Sequence, residues 1–518
     1  MTTKIHPHFY HLDPKLWFII LKAMKKPALE LDNNSNPSRK SPRKSDRFPR
    51  NVSPKLPVYL LSTFVVVSVL FQIHSLQRPS SSAWAFMQAV AVSCLPTLRG
   101  DDGENPKVVA SRLRQSVTFL PLKDLRYANA AMKGHTWFMS SLYDTHEEGE
   151  VQYQQFPTEA SGGRVLCLKG RDTHEGSWNS YALAWPETLP ENATLAKGIT
   201  FVSYNHYDYH NIWHGLSAMM PFVGWHIKSQ CEVPERWMLY HWGEMRTSMA
   251  PWVRTLLEAT FGRTLEIEKF DHDGPDDYDT SACFEEAVVM RHNEGGMSRE
   301  KRMEVYDLMR CKSRMYCNVS TGSSSSSRSS SSSSNGFRIG MTMLMRDGRR
   351  SFRNASAVIG IFERECRKVE GCRLMVAYPH NLTFCEQVKL MSITDIVISA
   401  HGAQLSNMIL MDRDSSVMEL FPKGWLELAG IGQYVHHWLA SWSGMRHEGA
   451  WRDPVGDNCP YPEEDRRCMS VFKNGRIGHN ATYFSSWAGR VLNEVRLRKK
   501  AMNMSMGNPA KGLCGCSS

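Results

Sequence analysis

Two arginines and an asparagine, each four residues apart, follow the strand-like segment RIGMTMLM: Arg346, Arg350 and Asn354. The planar guanidinium of arginine donates paired, charge-assisted hydrogen bonds to phosphate oxygens, so two of them suit a diphosphate. Asparagine is a preferred first residue of helices, and Asn354 can cap the helix predicted next. The spacing therefore predicts a cationic loop between a strand and a helix.

A second strand-to-helix junction lies in TDIVISAHGAQLSNMIL, Thr394–Leu410. The apolar segment Asp395–Ser399 leads into a helical pattern through four residues, His401, Gly402, Ala403 and Gln404. The first N–H groups of a helix lack intrahelical partners and carry the positive end of its dipole, so such a junction binds anions. We expect this junction and the arginine loop to hold one diphosphate.

Glu419 interrupts the apolar segment SSVMELFP near the end of a predicted strand. A carboxylate at that place can accept hydrogen bonds from both hydroxyls of a ribose. Taken singly, an arginine is usually a solvated charge, a histidine a satisfied core residue and a glutamate a charge at a strand end. Their convergence on one sheet edge favours a nucleotide site, because open α/β sheets bind ligands at the carboxyl ends of their strands.

The chain after residue 336 alternates between strand and helix patterns. Apolar strand patterns cover Phe337–Met345, Cys372–Tyr378, Asp395–Ser399 and Ser416–Phe421, and helical patterns cover Ala355–Val369, Phe384–Ile393 and Ala403–Met411. Such alternation predicts a parallel sheet with helices on both faces. Earlier strand candidates are Gly198–Tyr204, Trp237–Tyr240 and Leu265–Phe270. The predicted fold class is α/β, with two Rossmann-like domains facing a cleft.

Composition excludes several classes of function. The formal charge is +10, but residues 1–55 hold twelve Lys/Arg and four Asp/Glu, and the rest is close to neutral. A nucleic-acid partner therefore has no support beyond the N-terminal arm. Walker A, G-x-G-x-x-G and G-x-S-x-G motifs are missing at suitable strand ends, which argues against kinase-like, dinucleotide-binding and α/β-hydrolase proteins.

The segment Leu56–Ile73 contains eighteen residues without a charge, about the minimum for a transmembrane helix. Seven Lys/Arg lie between Arg39 and Lys55, so the N-terminus is expected in the cytoplasm and the body in the lumen. A cleaved signal peptide is the alternative. All thirteen cysteines follow the segment, as do the N-x-S/T sequons at Asn192, Asn318, Asn354, Asn381, Asn480 and Asn503, which suits an oxidising secretory compartment.

The Ser-rich segment TGSSSSSRSSSSSSNG, at 321–336, is a low-complexity linker that divides the body. The predicted organisation is a basic tail (1–55), a transmembrane anchor (56–73), a stem (74–110), an N-terminal acceptor domain (111–320), the linker, a C-terminal nucleotide-sugar domain (337–500) and a tail (501–518). Local disulfides are expected for Cys311/Cys317 and Cys459/Cys468. Because thirteen is odd, at least one thiol is free or intermolecular.

The segment FCEQVKLMSITDIVISAHGAQLSNMIL, followed by VMELFP, resembles glycosyltransferase family 61. The element Arg346-x3-Arg350-x3-Asn354 and the segment GMRHEGAWRD (Gly444–Asp453) are similar to two further elements of that family. The likeness is specific over about residues 340–455. It implies a GT-B fold and an inverting transferase of the Golgi or endoplasmic reticulum membrane. That enzyme would move a sugar of the xylose or N-acetylglucosamine class from a UDP-sugar to a hydroxyl of a glycoprotein or polysaccharide glycan.

The catalytic base implied by the resemblance is His214, in an Asn211-x-x-His214 element like that of the family. The family often has an acid four residues later, where this chain has Ala218. Either His214 acts alone, or Asp208 substitutes, or the protein is a lumenal glycan- or nucleotide-sugar-binding protein without activity. His206, His210 and His214 at helical spacing also permit a metal site, although no glutamate lies beside them.

The segment FDHDGPDDYDT, at 270–280, contains two D-x-D triplets of the kind that hold a metal on a donor diphosphate in other transferases. Crowded carboxylates around a Gly-Pro turn are more simply a solvated loop. Since the arginines already supply positive charge, we expect no metal and no cofactor besides the UDP-sugar co-substrate.

Overall fold

The computed structural model describes residues 107–109, 116–127, 153–173, 175–205, 208–268, 281–290, 297–319, 338–425, 430–462, 465–505 and 514–516. They all belong to one compact unit, Gly103–Ser518. The predicted transmembrane anchor, the Ser-rich linker and the acidic loop 270–280 lie outside the described residues. Within the described ranges, no helix has both the length and the apolar character needed to cross a membrane.

The first sheet has nine strands, which are β1 (Leu120–Pro121), β2 (Tyr153–Phe156), β3 (Val165–Lys169), β4 (Ser180–Ala184), β5 (Thr194–Tyr204), β6 (Arg236–His241), β7 (Glu244–Arg246), β8 (Glu266–Ile267) and β9 (Ser281–Met290). Its order is β1-β4-β3-β9-β5-β6-β7, with β2 on β9 and β8 on β6. Strand β5 pairs in parallel with β6 and β9, whereas β3, β4 and β7 pair antiparallel. The sheet is therefore mixed, unlike the parallel sheet expected of a Rossmann-like domain.

A short connection explains the antiparallel pair of β6 and β7, because only a crossover of a dozen or more residues can return a strand in parallel. Two residues join β6 to β7. Strand β9 was not predicted from the sequence because Glu285 and Glu286 interrupt its apolar pattern. The helices of at least eight residues described in this half are α1 (Ile212–Lys228), α2 (Pro251–Phe261) and α3 (Arg299–Tyr316), besides the 3-10 helix Leu122–Tyr127.

The second sheet has five strands, all parallel: β10 (Ile339–Leu344), β11 (Cys372–Ala377), β12 (Ile396–Ala400), β13 (Ser416–Phe421) and β14 (Arg446–Arg452). Its helices are α4 (Ala355–Arg367), α5 (Phe384–Ser392), α6 (Val435–Trp442), α7 (Cys468–Asn474) and α8 (Ala481–Ser505), with 3-10 helices at Pro379–Asn381, Ala403–Leu410 and Gly430–Tyr434. The elements predicted between residues 337 and 421 are confirmed within about two residues. The segment Ala403–Leu410 differs, since it winds as a 3-10 helix.

The strand order of the second sheet, β11-β10-β12-β13-β14, determines where a ligand fits. The chain passes from β10 to β11 on one side and then returns to β12 on the other side of β10. In doubly wound sheets of this order, the crevice at such a reversal, outside the carboxyl ends of the strands, is the usual ligand site. The carboxyl ends of β10 and β12 are therefore the expected place.

The two sheets share one hydrophobic core, which includes Trp213 and Trp252 from the first half and Leu405 and Trp438 from the second. Helix α3 strengthens this junction. Its buried Arg310 donates to the carbonyl oxygens of Ile409 and Ser443 at 3.0 and 2.9 Å. These contacts oppose separation of the two halves, because separation would remove two of the acceptors of a buried guanidinium.

The described residues form six disulfides: Cys167–Cys283, Cys231–Cys516, Cys311–Cys514, Cys317–Cys385, Cys366–Cys372 and Cys459–Cys468. The expected Cys459–Cys468 pair is confirmed, and the expected Cys311–Cys317 pair is wrong. Cys311 lies within α3 and Cys317 caps its end. Six helical residues span about 9 Å, beyond the roughly 7 Å limit between the Cα atoms of a disulfide.

Three of these disulfides join residues before the Ser-rich linker to residues after it: Cys231–Cys516, Cys311–Cys514 and Cys317–Cys385. We expect a specific protease site placed within 321–336 to be cut without separating the halves. Electrophoresis should show one band without reductant and two with it. Two bands without reductant would contradict the pairing, and an uncut chain without the inserted site is the control.

Candidate functional site

The arginine loop begins directly after β10. Arg346 Nη1 donates to Gln404 Oε1 at 3.3 Å, and Arg350 Nη1 donates to the carbonyl oxygen of His401 at 2.9 Å. Arg350 has a positive φ of 59°, a conformation uncommon for a non-glycine residue. Asn354 accepts from the N–H of Ala357 and caps α4, as predicted. The loop thus joins both predicted junctions at the carboxyl ends of β10 and β12.

The two guanidinium groups have no carboxylate partner among the described residues. Their Nε atoms are buried and lack hydrogen-bond partners in the same part of the chain. Burial lowers the pKa of Arg346, while burial and the nearby Arg346 and Arg349 lower that of Arg350 to about 10. Both groups remain charged at neutral pH. Two adjacent, partly buried cations without a described counter-charge have the charge and burial that suit an anion.

The 3-10 helix Ala403–Leu410 faces these arginines through its first turn. Gly402 precedes it without a side-chain cap, and Gln404 is held by Nε2 bonds to Ser399 Oγ and the Ala400 carbonyl at 3.2 and 2.9 Å. A 3-10 helix, like an α-helix, leaves its first N–H groups without intrahelical partners. The predicted convergence of Gly402, Ala403 and Gln404 with Arg346 is therefore present.

Gly402 leaves room for the Arg346 guanidinium. A Cβ at position 402 would lie 2.4 Å from Arg346 Nη1 and 2.5 Å from Gln404 Oε1. We expect Gly402→Ala to displace Arg346 and weaken UDP binding about tenfold, because a small misplacement of a binding group has a large effect. The variant should still fold, since the extended φ of 162° at Gly402 suits alanine.

Calorimetric titration with UDP and a thermal melt test this expectation together. Gly348→Ala is a poor control because its φ is 67°, whereas Gly432 has open space around an added Cβ and no strained φ. Gly432→Ala should leave UDP affinity unchanged. Equal UDP affinity in Gly402→Ala and the native protein would contradict the placement of Arg346 in the site.

Glu419 lies on β13 at the centre of a histidine cluster, defined here as Glu419, His401, His436 and His447. Its Oε1 is 2.6 Å from His401 Nδ1 and 2.8 Å from His436 Nδ1, and its Oε2 is 2.9 Å from His447 Nε2. Glu419 is only 1% exposed. The ribose contact predicted for Glu419 is not favoured by this geometry, because both oxygens already accept bonds from imidazoles.

Glu419, at the centre of the histidine cluster, is ionised at neutral pH. Burial alone would raise the pKa of the Glu419 carboxyl, but His401 and His436 hold it well below its usual range. Burial lowers the pKa of His401 to about 4, against the opposing effect of Glu419. At neutral pH His401 is therefore a neutral imidazole that donates through Nδ1. The positive charge expected of the anion site comes from the arginines rather than from His401.

A metal ion is a second interpretation of His401, Glu419 and His436, whose ligand atoms lie within 4.8 Å of one another. Ligands at about 2.1 Å around a tetrahedral zinc ion stand roughly 3.4 Å apart. The His401 and His436 Nδ1 atoms are 2.6 and 2.8 Å from one Glu419 oxygen, which is hydrogen-bond spacing. The geometry favours a hydrogen-bonded cluster.

His401 also packs among aromatic rings. Its ring lies 4.6 Å from Phe421 and 4.0 Å from Trp425, and the Arg350 guanidinium lies 5.8 Å above the Trp425 ring. The histidine cluster and Trp425 therefore fix the position of the residue whose carbonyl oxygen holds Arg350. Rigid support of this kind keeps a binding group in place.

Trp213, the neighbour of His214 on α1, lies near this cluster. Asn211 caps α1 by accepting from the N–H of Trp213, and the Trp213 ring is 6.2 Å from the His436 ring. His214 itself is partly buried at the third position of α1. Ala218 is buried one turn later, and Asp208 accepts from the N–H groups of His210 and Asn211. His206 lies outside the described residues.

Residues 230–418 match the family model Glycosyltransferase 61. This match supports membership of glycosyltransferase family 61. The chain matches no curated protein. The match supports glycosyltransferase activity, and the family implies a sugar donor and a glycan acceptor as substrates.

The family 61 match covers α2, α3 and the second sheet as far as β13, and it includes Arg346, Arg350 and His401. It begins well before the Ser-rich linker, although the motifs in that part are weak. His214, Glu419 and the segment GMRHEGAWRD lie outside the matched residues. Their roles stay predictions.

Sequence reasoning missed His436 and His447. His447 lies within GMRHEGAWRD, on strand β14, so the segment that resembles family 61 contained the signal. His436 is one of two consecutive histidines in a short amphipathic helix, where nothing distinguishes it from a core residue. Only the pairing of β13 with β14 and the packing of α6 bring both to Glu419.

Proposed function

We propose that the protein is an inverting glycosyltransferase that moves a sugar from a UDP-sugar to a hydroxyl of a glycan. The observation that carries this proposal is the pair Arg346 and Arg350, two partly buried cations without a described carboxylate partner beside the sheet's reversal point. Charge on the diphosphate grows as the bond from the sugar C1 to oxygen breaks. Fixed guanidinium donors stabilise that charge in the transition state.

In the proposed mechanism a base on the first half removes the proton of the acceptor hydroxyl as it attacks C1. His214 has this role. It is one residue from Trp213, whose ring contacts the cluster around Glu419. The GT-B-like arrangement follows from this proposal, with acceptor and donor approaching from the first and second sheets. The family resemblance favours a donor of the xylose or N-acetylglucosamine class.

The proposed location is the lumen of the Golgi or endoplasmic reticulum, with a type II membrane anchor. Six disulfides suit an oxidising compartment. Five sequon asparagines are exposed: Asn192, Asn318, Asn354, Asn381 and Asn480. Exposure is what attachment of a glycan requires.

A second candidate is a protein that binds nucleotide sugars or glycans without transfer. The buried Ala218 favours it, because the family often has an acid at that position. A screen of UDP-sugars with glycan acceptors, read by UDP release, separates the two. Release in the native protein and its loss in His214→Ala, with UDP binding retained, supports transfer. UDP binding without release from any common donor supports the second candidate.

Transfer is expected to continue in EDTA at no less than about a third of its rate, because the arginines already neutralise the diphosphate. The double variant Asp277→Asn, Asp279→Asn should remain active. Activity that EDTA abolishes and Mn²⁺ restores, together with an inactive double variant, would contradict the metal-free mechanism.

A further inference from the structure

Two tryptophans of the first half keep much of their surface in water: Trp178 is 62% exposed and Trp242 is 49% exposed. Tryptophan normally buries most of its large apolar side chain. Their loops adjoin, because the N–H groups of Trp178 and Asn179 donate to the carbonyl oxygen of Gly243 at 3.1 and 3.0 Å. We call Trp178 and Trp242 the tryptophan pair.

Trp242 occupies a backbone position that tryptophan rarely adopts. With Gly243 it forms the two-residue turn between β6 and β7, where φ is 48° at Trp242 and 80° at Gly243 and His241 pairs with Glu244. Turns with two positive φ values prefer Asn-Gly, because a bulky side chain is strained there. Strain that persists at one residue indicates a functional demand on that side chain.

The turn lies at the same edge of the sheet as the start of α1. Strands β5 and β6 run parallel and end together, and His241 Nδ1 is 2.8 Å from the carbonyl oxygen of Asn205. Tyr209, just before α1, donates its hydroxyl to the carbonyl oxygen of Tyr240 at 3.1 Å. Trp242 and His214 therefore follow the neighbouring carboxyl ends of two parallel strands, where α/β sheets bind ligands, and Trp178 adjoins the Trp242 turn.

We propose that the tryptophan pair binds the acceptor glycan by stacking on a pyranose ring. This inference rests on the proposed function. One face of a pyranose presents C–H groups, which pack against the electron-rich face of an indole, while the ring hydroxyls stay hydrated. A stacking surface at the sheet edge where α1 begins would hold the acceptor on the side of the molecule that carries the proposed base, His214. The donor binds elsewhere, at the second sheet.

The variant Trp242→Asn tests the proposal sharply, because Asn-Gly suits this turn. We expect the KM for the acceptor to rise at least about tenfold, as for loss of a central aromatic anchor, with no decrease in the thermal midpoint. UDP affinity should be retained, which shows that the donor site is intact. Trp178→Ala should raise the acceptor KM in the same direction.

Trp185→Ala is the matched control. Trp185 is 39% exposed but follows β4, whereas Trp178 precedes it, so the strand separates them by roughly 20 Å. Its acceptor KM should be unchanged. An unchanged acceptor KM in both Trp242→Asn and Trp178→Ala would overturn the tryptophan pair as a glycan site and leave the transferase function standing.

If the native protein transfers no sugar, the proposed function fails and direct binding decides the inference. Tryptophan fluorescence is then titrated with tetrasaccharides of mannose, xylose and N-acetylglucosamine. Quenching that disappears in Trp242→Asn supports a glycan site. No response to any of the three, or the same response in Trp242→Asn, overturns it.

Discussion

Replacement of Arg350 with glutamine is expected to weaken UDP binding by about 1.5 to 3 kcal/mol, roughly 10- to 150-fold in Kd. The same range is expected for Arg346→Gln. Each variant would lose the charge-assisted hydrogen bonds that the guanidinium donates to the diphosphate in a partly buried site. Because the two donors share one ligand, the double variant should bind UDP too weakly for calorimetry to measure.

The stability of these variants provides an independent test. Two like charges with buried Nε atoms oppose folding until an anion arrives, so Arg350→Gln should not lower the thermal midpoint. Arg349, which is exposed, is the matched control. Arg349→Gln should change UDP affinity less than about threefold. Unchanged affinity in Arg346→Gln and Arg350→Gln would remove the donor site from this loop.

Replacement of Glu419 with glutamine is expected to lower the free energy of unfolding by about 2 to 4 kcal/mol. The ionised carboxylate accepts from three imidazoles, and an amide has one acceptor oxygen for them. UDP affinity should fall as well, because the cluster fixes His401, whose carbonyl oxygen holds Arg350. Chemical denaturation and UDP titration measure the two effects.

Glu365→Gln is the control for loss of a buried glutamate. Glu365 is also buried, but its partner Lys368 is largely exposed. Water screens a pair that has one exposed partner, so the free energy of unfolding should change by less than about 1 kcal/mol. Equal losses in Glu365→Gln and Glu419→Gln would mean that the histidine cluster has no special role.

The pH dependence of stability follows from His401. Its native pKa of about 4 lies below the value of about 6.5 expected in the unfolded chain. Between these values the unfolded chain binds a proton that the native protein does not, so acid favours unfolding. His401 alone should remove about 3 kcal/mol of stability as pH falls from 6.5 to 4. The slope should be smaller in His401→Gln.

The second sheet was predictable because its central strands are buried on both faces and read as continuous apolar runs. Strand β14 was missed because Arg446, His447 and Glu448 give it a polar edge-strand sequence. The first sheet was less predictable, since its antiparallel strands join distant segments such as Cys167 and Cys283. Pairings of that kind depend on tertiary packing rather than on local pattern.

The arginine loop and the His401 junction could be recognised because local features, strand ends and helix starts, set their chemistry. The environment of Glu419 could not. Its role depends on His436 and His447, which arrive from α6 and β14 and have no spacing that connects them to β13. The sequence therefore predicted that Glu419 lies at this edge of the sheet. It predicted a contact with a ribose, whereas in the structure Glu419 holds His401 in place.

A crystal structure of the protein with UDP tests the central claim most directly. The diphosphate should lie within about 3 Å of the Arg346 and Arg350 guanidinium groups, beside the first turn after His401. Glu419 should keep its three histidine partners. UDP bound at the first sheet, or bridged by a metal to Asp277 and Asp279, would contradict the placement of the donor in the second sheet.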